Sequence, residues 1–201
     1  MIKKIPFLLI YSRILIGIVI GFIAFYEVKH HQLLIVILMA IALLTDIFDG
    51  IIARKLNVTS EKLRIWDSNV DLFFWLATIV SIFYLNFNFV WENGLWIGSI
   101  ILLELLSYLI SFIKFKKTIA THSILAKFWT ITLLLFLIDL CLNGSSQVPF
   151  FICVGLGIIS RIEILLIIVN LKKWTTDVPS IFVVKKINQG IPFKKNKLFN
   201  S

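Results

Sequence analysis

The sequence predicts an all-α integral membrane protein of six transmembrane helices with both termini in the cytoplasm. The 201-residue chain is 59% hydrophobic and has a mean hydropathy of +0.97, whereas a soluble domain is closer to half apolar. Six apolar segments have spanning length: Phe7 to Tyr26, Leu33 to Ala53, Asp71 to Leu85, Leu95 to Ile113, Ile124 to Leu142 and Phe150 to Asn170. The basic residues are also sorted by side. Lys3 and Lys4, then Arg54, Lys55, Lys62 and Arg64, then Lys114, Lys116 and Lys117, then the lysines of the tail fall on one side, and Lys29 falls on the other. That asymmetry puts the richer side in the cytoplasm. It also explains the net charge of +9 without a nucleic-acid partner.

The first segment follows Lys3 and Lys4 as a signal peptide would. It lacks a small-x-small cleavage site, runs too long and contains Arg13, so it is read as a retained helix. His30 and His31 occupy the short outer loop after it and are read as solvated. The second segment ends in charge, and the third is short. The aromatic residues Phe73, Phe74, Trp75, Phe83 and Tyr84 of the third suit lipid-facing core and interface anchors. His122 stands in the loop before the fifth segment and is also read as solvated. Cys141 and Cys153 lack metal-ligand spacing, so packing is the expected role, with a disulfide near the outer face as the alternative. Residues 1–170 then form one six-helix membrane domain, and 171–201 a basic cytoplasmic tail. The tail, with KKW, VVKKI and FKKNK, suits anionic lipid headgroups; a plain disordered tail is the alternative. The expected location is the inner (cytoplasmic) membrane, multi-pass.

The costly feature is the stretch TDIFDGIIARKLNVTSEKLRIWDSNVD, residues 45–71. Asp46, Asp49, Gly50 and Ala53 share one face at the cytoplasmic end of the second helix, since successive residues turn by about 100°. Asp67 and Asp71 share a face where the third begins. If the two helices are antiparallel, both pairs converge. Two like charges about 4 Å apart cost roughly 4 kcal/mol at an effective dielectric near 20, so a cation must offset them. Oxygen-only donors suit Mg²⁺, Mn²⁺ or Ca²⁺ rather than Zn²⁺ or copper. Four carboxylates can hold two such ions, and two ions can clamp a diphosphate. Gly50 and Ala53 leave a strip of bare helix for a bulky ligand, and Arg54 offers a forked donor to phosphate oxygens. The combination points to a phosphorylated, lipid-linked substrate. The plain alternative is that each aspartate merely ends a helix among the headgroups.

These residues resemble the signature D-x2-D-G-x2-A-R-x8-G-x3-D-x3-D of the CDP-alcohol phosphotransferases. Asp46, Asp49, Gly50, Ala53, Arg54, Asp67 and Asp71 stand in register, and Leu63 replaces the second glycine in the turn before the third helix. Outside the motif, Pro6 and Arg13 in IPFLLIYSR are similar to the P-N-x-L-T-x2-R opening of bacterial phosphatidylglycerophosphate synthases. Lys127 in LAKFWT is similar to their G-K-x-K-T stretch. The resemblance implies transfer of a phosphatidyl group from CDP-diacylglycerol to a small alcohol, with CMP leaving and glycerol 3-phosphate as the favoured acceptor. It further implies a pair of Mg²⁺ or Mn²⁺ ions held by Asp46, Asp49 and Asp67, with Asp71 as the general base and a further contact to metal. Gly50 and Ala53 would admit the cytidine. A homodimer is also implied. Ser68 echoes inositol-type enzymes and leaves that acceptor open.

Arg13, Lys127 and Arg161 lie within spans, where each costs about 2.5–3.5 kcal/mol by insertion scales. They therefore need partners. Glu104, Asp139 and Glu163 are available for internal ion pairs, and helix spacing does not choose among them. The functional alternative is that Lys127 and Arg161 bind an anionic acceptor. A small ion or metal transporter is the competing function, but it would carry ionisable residues near midplane on several broken helices, and here the acidic cluster is confined to one end.

Overall fold

The computed structural model describes residues 5–56, 58, 61–117, 123–175 and 178–191, without the side chains of 54, 61–65 and 68. His122 and residues 192–201 of the tail therefore lie outside the described residues. Among those described there is no strand. The helices are α1 (Ile5–Phe25), α2 (His31–Lys55), α3 (Glu61–Leu85), α4 (Phe87–Glu92), α5 (Gly94–Phe115), α6 (Ile124–Asn143), α7 (Val148–Asn170) and α8 (Ile181–Asn188).

α1, α5, α6, α7 and the stretch His31–Ala53 of α2 are long and apolar enough to cross a membrane. α3 has the length, 25 residues, but is apolar only over Asn69–Leu85. It begins ten residues before the apolar segment expected from sequence, because the helix formers Glu61, Lys62, Leu63 and Arg64 carry helical structure into charged sequence. Leu63 consequently sits in the first turn of α3 rather than in a turn before it. The serines and threonines inside these helices turn back on their own backbone. Ser12 donates to Leu9 O, Thr45 to Ala42 O and Ser81 to Ala77 O, each at 2.7 Å, which satisfies hydroxyls that lipid cannot.

The chain divides into two compact units. The first comprises residues up to Phe89 together with Leu137–Ser145. In it α1 packs against α2 and α3. Ile10, Ile16, Ile20, Ile23 and Ala24 of α1, Ile35, Met39 and Ala42 of α2, and Val70, Phe74 and Ile82 of α3 are all buried. Gly17 permits the α1–α3 approach: a Cβ there would stand 3.3 Å from Phe73. Small residues at such crossings are the usual means of close packing in lipid. At one end of this unit Ile10, Ala53 and Val70 form a small apolar cluster.

The second unit comprises Val90–Phe136 and Ser146–Ser201. There α5 packs on α7, and α8 folds against the end of α7. Val184 of α8 is buried with Ile167, Leu171 and Val178, flanked by Phe115. Polar ties secure the same end. Lys114 Nζ donates to the carbonyls of Ile168 (3.0 Å) and Val169 (2.5 Å), Asn188 Nδ2 donates to Asn170 O (2.8 Å), and Lys172 N donates to Asn188 Oδ1 (2.9 Å). A lysine on the last carbonyls of a helix meets both their unpaired lone pairs and the negative end of the dipole. Cys141 and Cys153 are both free and buried, in line with a packing role.

Gly157 of α7 sits close against α5 and α6. A Cβ there would stand 2.7 Å from Trp129 Nε1 and 3.2 Å from Ile100 Cδ1. Gly157→Ala is therefore expected to destabilise the protein by about 1–3 kcal/mol through overpacking. A thermal melt in detergent checks this, and an unchanged Tm would show that the indole moves aside freely.

Candidate active site

The four aspartates meet. Helical periodicity places Asp46 and Asp49 one turn apart near the end of α2, and Asp67 and Asp71 one turn apart near the start of α3. α1 packs along both helices and brings Arg13 between them. Arg13 Nη1 donates to Asp46 Oδ1 at 2.8 Å and to Asp71 Oδ1; Nη2 donates to Asp49 Oδ2 at 2.6 Å and to Asp67 Oδ1. Arg13 is 1% exposed and Asp49 4%. Asp46, Asp67 and Asp71 are only partly covered, so the cluster is closed on the Arg13 side and open on the other.

Asp46, Asp49 and Asp67 each offer a carboxylate oxygen within 4.8 Å of the others. At that spacing each ionised pair repels by roughly 3–4 kcal/mol at an effective dielectric near 20. Among the described side chains, one guanidinium against four carboxylates leaves three formal negative charges. The donor set is oxygen only, rigidly mounted and short of positive charge, which fits a hard divalent cation such as Mg²⁺ or Mn²⁺.

Gly50, beside Asp49, is partly exposed, while Ala53 is buried against Ile10 and Val70. A small side chain at 53 thus lets α1 and α3 close beside the carboxylates. Arg54's side chain lies outside the described ones, as does that of Leu63.

Arg161 sits in the second unit. Its Nη1 lies 2.7 Å from Glu104 of α5, one of the partners named from sequence, and its guanidinium stacks 4.3 Å from the Trp129 ring. Lys127, on the first turn of α6, is partly buried. Asp139 accepts from Asn143 at 2.7 Å.

The sequence reading missed what Arg13 does. It offered Glu104, Asp139 and Glu163 as partners, whereas the structure pairs Arg13 with all four aspartates. A signal was present: a lone arginine in an apolar helix needs acids, and the densest group of acids in the chain is the motif itself.

A family model described as CDP-alcohol phosphatidyltransferase matches residues 3–176, which takes in α1 to α7 and every residue of the site. Neither the curated proteins nor the solved structures yield a match.

Proposed function

The chain belongs to the CDP-alcohol phosphatidyltransferase family, and on that premise we propose that it transfers a phosphatidyl group from CDP-diacylglycerol to a small alcohol, glycerol 3-phosphate in the favoured case. Family membership makes it a phosphotransferase of phospholipid biosynthesis with a CDP-alcohol donor and an alcohol acceptor. The observation that supports metal-assisted transfer at this site is the convergence of Asp46, Asp49, Asp67 and Asp71 at one partly open cluster. The sidedness of the lysines and arginines supports a cytoplasm-facing site in the inner membrane, with α3 crossing as well and both termini inside.

In this reading Asp46, Asp49 and Asp67 would be the principal ligands of divalent metal, and Asp71 would offer it a further carboxylate. When bound, the metal neutralises the diphosphate of the donor. Asp71 accepts the proton of the acceptor hydroxyl. The alcohol oxygen forms a bond to the phosphorus that carries the diacylglycerol, and the bond from that phosphorus to the oxygen of CMP breaks. Phosphoryl transfer asks little more of a protein than alignment, charge neutralisation and a base. Gly50 presents bare backbone to the nucleotide, Ala53 shapes the wall beside it, and Arg54 contributes donors to the phosphates.

Purified protein incubated with CDP-diacylglycerol, Mg²⁺ or Mn²⁺ and a panel of alcohols tests the reading. CMP release is expected with glycerol 3-phosphate; release with inositol or inositol phosphate alone would reassign the acceptor. No release with any alcohol would sink the transferase reading.

Lys127 and Arg161 are assigned to the acceptor's phosphate. Lys127→Ala is expected to raise the KM for a phosphorylated acceptor about tenfold or more, the scale of one lost charge-assisted contact, with little change for CDP-diacylglycerol. Arg161→Ala should do the same and also lower Tm, because it leaves Glu104 without its 2.7 Å partner. Unchanged acceptor KM in both variants would remove them from this role.

A further inference from the structure

Arg13 is buried in the apolar helix α1. Its two terminal nitrogens carry four N–H donors, and all four are engaged in one pattern. Nη1 bridges Asp46 of α2 to Asp71 of α3, and Nη2 bridges Asp49 of α2 to Asp67 of α3. Each nitrogen thus ties the same two helices together. The fifth donor, Nε, is buried and meets no acceptor among the described residues. Asp46, Asp49 and Asp67 are at once acceptors of this fork and the three residues whose ligand oxygens lie within 4.8 Å of one another. A guanidinium and a divalent cation therefore want the same carboxylates.

We propose that Arg13 is a positioning residue that serves as the internal counter-cation of the site: it holds the carboxylates gathered before metal arrives and gives up part of its contacts as metal enters. The inference rests on the reading of these aspartates as a metal site. Its physical logic is competition. Four like charges at this spacing would splay α2 from α3 unless a cation sat between them. The fork supplies that cation from within the chain, so the site is assembled in advance. The consequence is weaker metal binding than the same carboxylates would show alone, since contacts to Arg13 must be exchanged for contacts to metal.

The test uses purified full-length wild type, Arg13→Gln and Arg13→Lys in neutral-lipid nanodiscs. Mn²⁺ is titrated, free Mn²⁺ is read by electron paramagnetic resonance, and thermal unfolding is followed with and without Mn²⁺. Arg13→Gln is expected to bind Mn²⁺ about tenfold tighter than wild type, the scale of one charge-assisted contact no longer displaced. Its Tm without metal should fall below that of wild type, and saturating Mn²⁺ should restore it, because a ligand of the folded state alone stabilises that state. Arg13→Lys keeps the charge but loses the fork, so it should fall between the two in both measurements. Binding by Arg13→Gln no tighter than wild type, or a Tm deficit that Mn²⁺ leaves in place, overturns the proposal. If Arg13→Gln does not fold, Arg13→Lys decides: tighter binding than wild type supports the exchange, and equal or weaker binding refutes it. If wild type and variants all fail to bind Mn²⁺, the metal reading falls and this inference with it. If wild type binds and the variants bind no better, this inference alone falls.

Discussion

Asp71→Asn is expected to lower turnover by roughly 10²–10⁴-fold, the usual contribution of a positioned general base, while metal-dependent binding of CDP-diacylglycerol survives. Asp71 is not one of the three carboxylates whose ligand oxygens all lie within 4.8 Å of one another, although it too accepts from Arg13. Asparagine preserves its shape, and the amide oxygen can still accept from Nη1, so the bridge between α2 and α3 is kept and the fold should hold. What is lost is the capacity to take a proton. The loss should appear in kcat, with the KM for the donor little changed. CMP release measured with saturating donor and acceptor checks it, and turnover within a few-fold of wild type would remove Asp71 from the base role.

Asp49→Asn is expected to act at an earlier stage, on metal. Asp49 is the most buried of the four carboxylates, and its oxygen both faces Arg13 Nη2 and belongs to the close trio. Loss of an outer partner to a metal ligand typically costs 10–100-fold in affinity, so loss of a ligand's own charge should cost at least about 100-fold. Activity should fall below detection at ordinary Mg²⁺ and return in part at high Mn²⁺. Stability should change little, because Asp46, Asp67 and Asp71 still face Arg13. Calorimetric titration of metal into wild type and variant distinguishes the two effects. Unaltered metal affinity with lost activity would place Asp49 elsewhere in the mechanism.

Most of the membrane helices were legible because their signal is local. Long, predominantly apolar runs set α1, α2, α5, α6 and α7 to within a few residues, and the 3.6-residue period alone put Asp46 with Asp49 and Asp67 with Asp71. Less was legible where polar sequence folds. The first turns of α3 are charged, so hydropathy placed its start too late, although Glu61 to Arg64 are good helix formers. α4 is six residues, below any periodic signal. α8 lies in a lysine-rich stretch read as tail, and it is held by buried Val184, by Ile181 and Ile187 packed beside it, and by hydrogen bonds to the end of α7.

The sequence marked the motif as the densest group of acids in the chain but left its pairing with Arg13 open, for another reason. The four acceptors of Arg13 lie between 33 and 58 residues away, and spacing rules within one helix say nothing about which helices meet. Glu104 and Arg161 were correctly grouped as possible partners, yet only the packing of α5 on α7 chose that pair. Ala53 shows the converse. Its small size was read as room for a ligand, and in the fold that size also serves the contact with Ile10 and Val70.

Pulsed electron–nuclear double resonance on Mn²⁺-loaded protein in nanodiscs addresses the site most directly. With CDP-diacylglycerol added, wild type should show phosphorus-31 coupling to the bound Mn²⁺, and Asp49→Asn should lose it. Mn²⁺ bound with no phosphorus coupling, or coupling undiminished in Asp49→Asn, would mean that these aspartates do not hold the metal that grips the donor's diphosphate.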